Sequence, residues 1–185
     1  MSDRGRTLTQ PGVGARPLRV VGVDPGLANL GLGAVQEAGK EAGFLGGALV
    51  STSPRSSQGE RLVVIRRELS AFLDRYRPDA IALEGQFLKH QRQTSFRVGQ
   101  AVGVVLLTAA ERDLPVFEYG PDQVKLALVG SGRADKDQVA FMVRALLKLT
   151  AEKRPDHVTD ALALALTHLQ SRRIGALAAL AERQP

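Results

Sequence analysis

Apolar positions along the chain recur with two periods, and the switches between them mark out the elements. Leu18-Arg19-Val20-Val21-Gly22-Val23-Asp24 is a β-branched run that stops at Pro25-Gly26, which predicts a strand and then a turn. Residues 29–36 and 43–50 are apolar and glycine-rich, with the polar stretch Glu37–Glu41 between them, so the three segments predict an antiparallel meander. Ser51–Gln58 reads as a Ser/Pro loop. From Gly59 to Arg77 the positions Leu62, Ile65, Leu69, Phe72, Leu73 and Tyr76 follow the helical period. Pro78 ends that helix, and Ala80-Ile81-Ala82-Leu83-Glu84 predicts a short buried strand.

Residues 85–97 (GQFLKHQRQTSFR) fit neither period and predict a loop or a mobile helix start. A mostly apolar helix is expected from about Val98 to Arg112, then a strand at Pro115–Glu118. Helices follow near Pro121–Leu128 and Lys136–Leu149, the second opened by an Asp135 N-cap with Gln138 as its capping-box partner. The last helix starts after Pro155-Asp156 and runs through His157-Val158-Thr159-Asp160 into ALALALTHLQ. No internal repeat is visible. Three strands followed by alternating helices and strands predict one α/β domain over residues 18–171, with a mixed sheet flanked by helices. Residues 1–17 read as a disordered leader and 172–185 as a C-terminal tail.

Composition narrows the class. With 185 residues, 44% hydrophobic and 24% charged, the chain is neither disordered nor collagen-like, and one compact domain is the default. Zero Cys excludes disulfides, thiolate zinc sites and a cysteine nucleophile, and fits a reducing cytoplasm. An apolar run such as Val102–Leu107 falls far short of the ~20 residues of a membrane helix, and no secretory signal is evident. A membrane partner is therefore not expected. The net charge of +6 suggests a polyanion, but residues 1–19 carry +3 of it and residues 171–185 another +2. The bulk figure is a poor guide to a binding surface.

Local charge is more telling. Asp24 and Glu84 each close an apolar strand, and Asp160 sits in the first turn of an almost wholly apolar helix. A carboxylate at the edge of a core needs a partner, because burying an unpaired charge costs several kcal/mol. If strands 18–24 and 80–84 are parallel neighbours, Asp24 and Glu84 meet at their C-terminal ends, where open α/β sheets place their sites. His157 and Asp160, three residues apart, share one helix face. Asp24, Glu84, His157 and Asp160 together form a mostly oxygen-ligand set suited to a hard divalent cation such as Mg²⁺. Each also has a plainer reading: a turn residue, an ion-pair partner, a helix-start acid, a surface histidine.

The segment Gly85–Arg97 carries Lys89, Arg92 and Arg97 with no acid, interleaved with Phe87, His90 and Phe96. Basic groups contact phosphates while aromatics stack on bases, although a solvated loop with two inward Phe has the same composition. Lys125 and Lys136 are further phosphate candidates, or else exposed helix lysines.

Five ordered blocks resemble the bacterial RuvC Holliday-junction resolvases. They are Val23-Asp24-Pro25-Gly26 with the glycine-rich hairpin, Ala82-Leu83-Glu84 with Phe87, and Val98-Gly99-Gln100-Ala101-Val102-Gly103. Leu114–Tyr119, continuing through Gln123-Val124-Lys125 and Val129–Gly132 to Asp135-Lys136, is the most specific, and His157–Ala163 closes the set. The similarity spans about residues 19–170. It implies a ribonuclease-H-like fold with a mixed five-stranded sheet, a homodimer, and paired nicking of four-way DNA junctions in recombination and repair. It places metal ligands at Asp24, Glu84, His157 and Asp160, catalytic-support or backbone-contacting roles at Lys125 and Lys136, and base stacking at Phe87. It also implies a branch-migration motor complex of the RuvA and RuvB type as partner.

Two departures stand out. Some members of the family have Asp where this chain has His157, and imidazole favours softer divalent ions, which predicts tolerance of or preference for Mn²⁺. Gly85-Gln86 also replaces bulkier or acidic residues between Glu84 and Phe87. The expected chemistry is an in-line phosphodiester displacement assisted by two metal ions ~3.5–4 Å apart, leaving 5′-phosphate and 3′-hydroxyl ends. Two rival classes are a non-catalytic junction-binding module, which would not need the acids, and an actin-like phosphotransferase, which would need a second such domain. The helix from Val98, apolar on more than one face through Val98, Val102, Val105 and Leu106, is either a dimer interface or a buried core helix.

Overall fold

A computed structural model describes residues 16–85, 92–150 and 154–181. The strands are β1 (Arg19–Asp24), β2 (Asn29–Ala38), β3 (Glu41–Ser51), β4 (Ala80–Glu84) and β5 (Val116–Tyr119), and the sheet order is β3-β2-β1-β4-β5. The first three form the expected antiparallel meander, and β4 and β5 add parallel to β1. This is the mixed five-stranded sheet of the ribonuclease-H-like fold. Helices α1 (Gln58–Tyr76) and α2 (Arg92–Ala110) cover one face, while α3 (Pro121–Val129), α4 (Lys136–Leu146) and α5 (Asp156–Ala181) cover the other.

Local chemistry sets the helix ends. Ser57 and Glu60 form a reciprocal capping box at the start of α1, and Arg77 closes it in the left-handed conformation just before Pro78. Asp135 and Gln138 form the predicted box at the start of α4. The strands alternate as a period of two requires. Val21, Val23, Ile81 and Leu83 face α1 and α2, whereas Val20 and Ala82 face α5. Residues 161–169 of α5 are buried all round, because the sheet lies under the helix while α3 and α4 flank it.

Three boundaries differ from the sequence reading. Helix α2 begins at Arg92 and not at the expected Val98, so of the two readings of residues 85–97, loop or helix start, the helix start holds from Arg92 onward. Helix α4 ends at Leu146, three residues early, with Lys148 in the left-handed region. Helix α5 runs to Ala181, so ten residues of the expected tail are helical. Arg173 fastens that extension by donating to the carbonyls of Gly39, Lys40 and Glu41 in the β2–β3 turn (2.6–3.1 Å). Arg16, within the expected leader, pairs with Asp79 at 2.8 Å. Residues 1–15 of that leader lie outside the described residues. Among the described residues no helix is long and apolar enough to cross a membrane.

Candidate active site

The parallel register of β1 and β4 runs from Val20↔Ala80 to Val23↔Leu83, which brings Asp24 and Glu84 side by side where both strands end. Helix α5 then crosses the same face at main-chain distance. A β-carbon at Gly22 would overlap the carbonyl of Ala161, and one at Gly31 would overlap the carbonyl of His157. Glycine at these two positions lets the helix start settle beside Asp24. His157 Nδ1 donates to Asp24 Oδ2 at 2.6 Å. Asp24, Glu84 and Asp160, with Lys125 and Lys136, line one cavity of about 270 Å³.

Charge in this cavity is balanced by sharing. Burial raises the Glu84 pKa to about 7, and the neighbouring Asp24 and Asp160 charges and a hydrogen bond to Asp24 push the same way. Burial also raises Asp160, against the opposing pull of Lys136, whose Nζ lies 3.2 Å from its Oδ2. Lys136 reaches Asp156 as well, at 3.4 Å. Burial alone would lower this lysine, yet Asp160 and Asp156 together hold it above its ordinary value. Asp156 was not singled out in the sequence, where a helix-start acid carries no distinguishing signal.

Among the described residues, no three His, Asp or Glu side chains are gathered closely enough to cage an ion as they stand. The donor set nonetheless fits a divalent cation. Three converging carboxylates, one driven to hold a proton near neutrality and another leaning on an ammonium group, lack positive charge that a dication would supply. The imidazole beside Asp24 adds a nitrogen donor. Asp24, Glu84, His157 and Asp160 are thus brought together, with Lys125 and Lys136 on their rim.

The remaining predicted residues divide differently. Phe87 and Lys89 lie outside the described residues, as does the side chain of Arg92. Arg97 is exposed on α2 and lines a second cavity, of about 320 Å³, that also contains His157. Gly85, one of the two departures, packs so that a β-carbon would press on Cβ of Glu118 at 2.8 Å. A larger residue there would have to displace β5.

An acidic cleft rimmed by lysines, at the ends of two parallel strands of a ribonuclease-H-like sheet, defines a nuclease. Residues 20–168 match the family model of RuvC, crossover junction endodeoxyribonuclease. The chain is 46% identical over 159 residues to the crossover junction endodeoxyribonuclease RuvC of Thermus thermophilus, covering 84% of this chain and 96% of that one. The structure of T. thermophilus RuvC in complex with a Holliday junction substrate superposes with a TM-score of 0.82 at 46% identity, over 85% of this chain and 96% of that one. The yeast mitochondrial Holliday junction resolvase Ydc2, at 15% identity and a TM-score of 0.61 over 84% of this chain and 79% of that one, shares the fold. The chain belongs to the RuvC family of crossover junction endodeoxyribonucleases, hydrolases that act on DNA and depend on a divalent metal.

Proposed function

We propose that this chain resolves four-way DNA junctions by paired, metal-dependent nicking, with Asp24, Glu84, His157 and Asp160 as metal ligands. The observation that carries this reading is the convergence of Asp24, Glu84 and Asp160 at one strand-end cavity that is short of positive charge, with His157 hydrogen-bonded to Asp24 at its border. Two Mg²⁺ or Mn²⁺ ions, when bound, would supply an activated water and charge stabilisation for the departing 3′ oxygen. The chain's own contribution is placement. Asp24 and Glu84 would hold the metal over the ends of β1 and β4, and His157 and Asp160 would complete the ligand set from α5. Lys136 exchanges its carboxylate partners for phosphate oxygens, and Lys125 offers a second ammonium on the same rim. Phe87, Lys89 and Arg92, on the segment that follows Glu84, would extend the contact to bases and backbone.

Symmetric nicking needs two such sites related by a two-fold axis, and helix α2 offers the surface. Its outer face exposes Phe96, Gly99, Gly103, Leu106 and Leu107, with open space beside both glycines. Val105, named among the candidates in the sequence, belongs to the core instead. A second copy seated along this face makes the homodimer, and a RuvA- and RuvB-type branch-migration complex is the expected further partner, in the cytoplasm.

The test is to incubate the protein with a mobile four-way junction and, separately, with a linear duplex of matched sequence, with and without Mg²⁺ or Mn²⁺. Paired symmetric nicks with 5′-phosphate ends, on the junction alone and only with metal, are expected. Junction binding with no nicking under either metal would instead establish a non-catalytic binding module.

A further inference from the structure

The second cavity adjoins the active site from the opposite direction to the lysines. It is lined by Leu27, Ala28, Asn29, Arg61, Arg97 and His157, and it shares no lining residue with the first. The His157–Asp24 hydrogen bond joins the two. Arg61 lies in the first turn of α1 and is held by a relay. Its Nε donates to Thr52 Oγ1 at 2.8 Å, and that hydroxyl donates to the Leu27 carbonyl at 2.5 Å. The Thr52 N–H meets the Ala28 carbonyl at 2.9 Å, so the β1–β2 turn, the end of β3 and Arg61 form one tied unit.

This relay uses only one of the three guanidinium nitrogens. Among the described residues Nη1 and Nη2 have no hydrogen-bond or ion-pair acceptor, whereas Arg66 on the same helix pairs with Glu111 and Arg112 with Asp74. The adjacent carboxylate, Glu60, is turned back onto the Ser57 N–H at 2.7 Å. A half-buried guanidinium fork with two donor nitrogens to spare, beside a second arginine and an apolar floor, suits a phosphate and its sugar. The carboxylate cluster repels a phosphodiester strand, so the strand must be held by cations on both sides of it. The lysines do this on one side only.

We propose that Arg61, with Arg97 beside it, binds a backbone phosphate flanking the cleaved bond, on the side of the site away from Lys125 and Lys136. The Leu27–Thr52–Arg61 relay fixes the register between that phosphate and Asp24, three residues before Leu27. This inference rests on the junction-nicking reading and specifies its strand path.

Arg61→Gln separates binding from scaffolding, because the glutamine amide nitrogen occupies the position of arginine Nε and can still meet Thr52 while the fork is lost. In an Asp24→Asn background with metal present, junction affinity should weaken about tenfold. The slope of log affinity against log salt should fall by about one per engaged subunit, with the melting temperature unchanged. Arg61→Lys should restore the slope. Independently, a single neutral methylphosphonate placed at each linkage near the cut should, at one position, weaken binding to the Arg61 protein as much as Arg61→Gln does. At that position it should add nothing to the variant's defect. An unchanged salt slope in Arg61→Gln, or additive losses at every linkage, would overturn the proposal. A wild-type protein that fails to nick the junction with metal would overturn the functional reading itself, a different result.

Discussion

The two faces of the sheet are built from different residues. Toward α5 the central strands present Val20, Gly22, Asp24, Gly31, Gly33, Val35, Ala82 and Glu84, so small residues predominate and the strand ends carry acids. Toward α1 and α2 they present Val21, Val23, Leu30, Leu32, Ile81 and Leu83, all buried and mostly bulky. On that second face, side chains such as Ile65, Leu69 and Phe72 interdigitate with the sheet and keep the helices at ordinary packing distance. On the first face α5 rests on the strand backbone. Placement of the reacting groups and burial of apolar surface are thus supplied from opposite sides of one sheet.

The division predicts a graded series of outcomes. Asp24→Asn, which alters one atom of the acidic face, should lower nicking by at least about a thousandfold while leaving junction binding intact. Loss of both in gel-based cleavage and binding assays would instead make Asp24 a folding residue. Gly31→Ala should come next, because its methyl group must push His157 away from Asp24. Nicking should fall by about a hundredfold, along with about 1–3 kcal/mol of stability. Wild-type nicking by this variant would refute main-chain contact as the determinant of the site. Leu83→Ala, on the opposite face, should cost about 2–5 kcal/mol in denaturant unfolding yet keep the nicking rate of the folded protein within about threefold.

A subtler effect concerns pH in the metal-free protein. Glu84 titrates near 7 in the fold against an ordinary 4.5, so the folded state holds its proton longer than the unfolded one. Stability from this group is fully present below pH 4.5 and is lost as pH rises toward 7. His168 acts in the opposite sense. Burial, followed by Arg172, lowers it to about 4, so its contribution is lost as pH falls from 6.5. Melting temperatures of wild type and Glu84→Gln should therefore diverge with pH across 4.5–7, the variant gaining relative to wild type as pH rises. A pH-independent difference would show that Glu84 is not strained by its surroundings. The smallest expected effect is a shift in metal preference. His157→Asp should move the ratio of Mn²⁺- to Mg²⁺-supported nicking toward Mg²⁺, and an unmoved ratio would remove the imidazole from the ligand set.

Much of the acidic face was legible in the sequence because an acid ending an apolar run is physically costly and so stands out. The pairing of Asp24 with Glu84 needed only the parallel register of β1 and β4 to become real. The glycines were visible as composition but not as contacts, since what each one touches lies over a hundred residues away in α5. The start of α2 at Arg92 stayed open between loop and helix in the sequence because its first turn is polar and follows neither period. The end of α5 was hidden by Arg172 and Arg173, whose charges read as a solvated tail although Arg173 is bound to backbone carbonyls. Arg61 gave no signal at all. Its meaning depends on Thr52 and Leu27, which only the turn geometry brings together.

The close seating of α5 has one more consequence. Because Gly22 and Gly31 meet the carbonyls of Ala161 and His157 directly, the spacing between Asp24 and the helix-borne His157 and Asp160 is fixed by main-chain packing contacts. Substitutions in the bulky core beneath α1 and α2 can then accumulate, exchanging one apolar shape for another, without retuning the catalytic distances. The seam acts as a mechanical datum that insulates the chemistry from drift elsewhere in the molecule. The cost of that insulation is concentrated in a few positions where even a methyl group must displace α5.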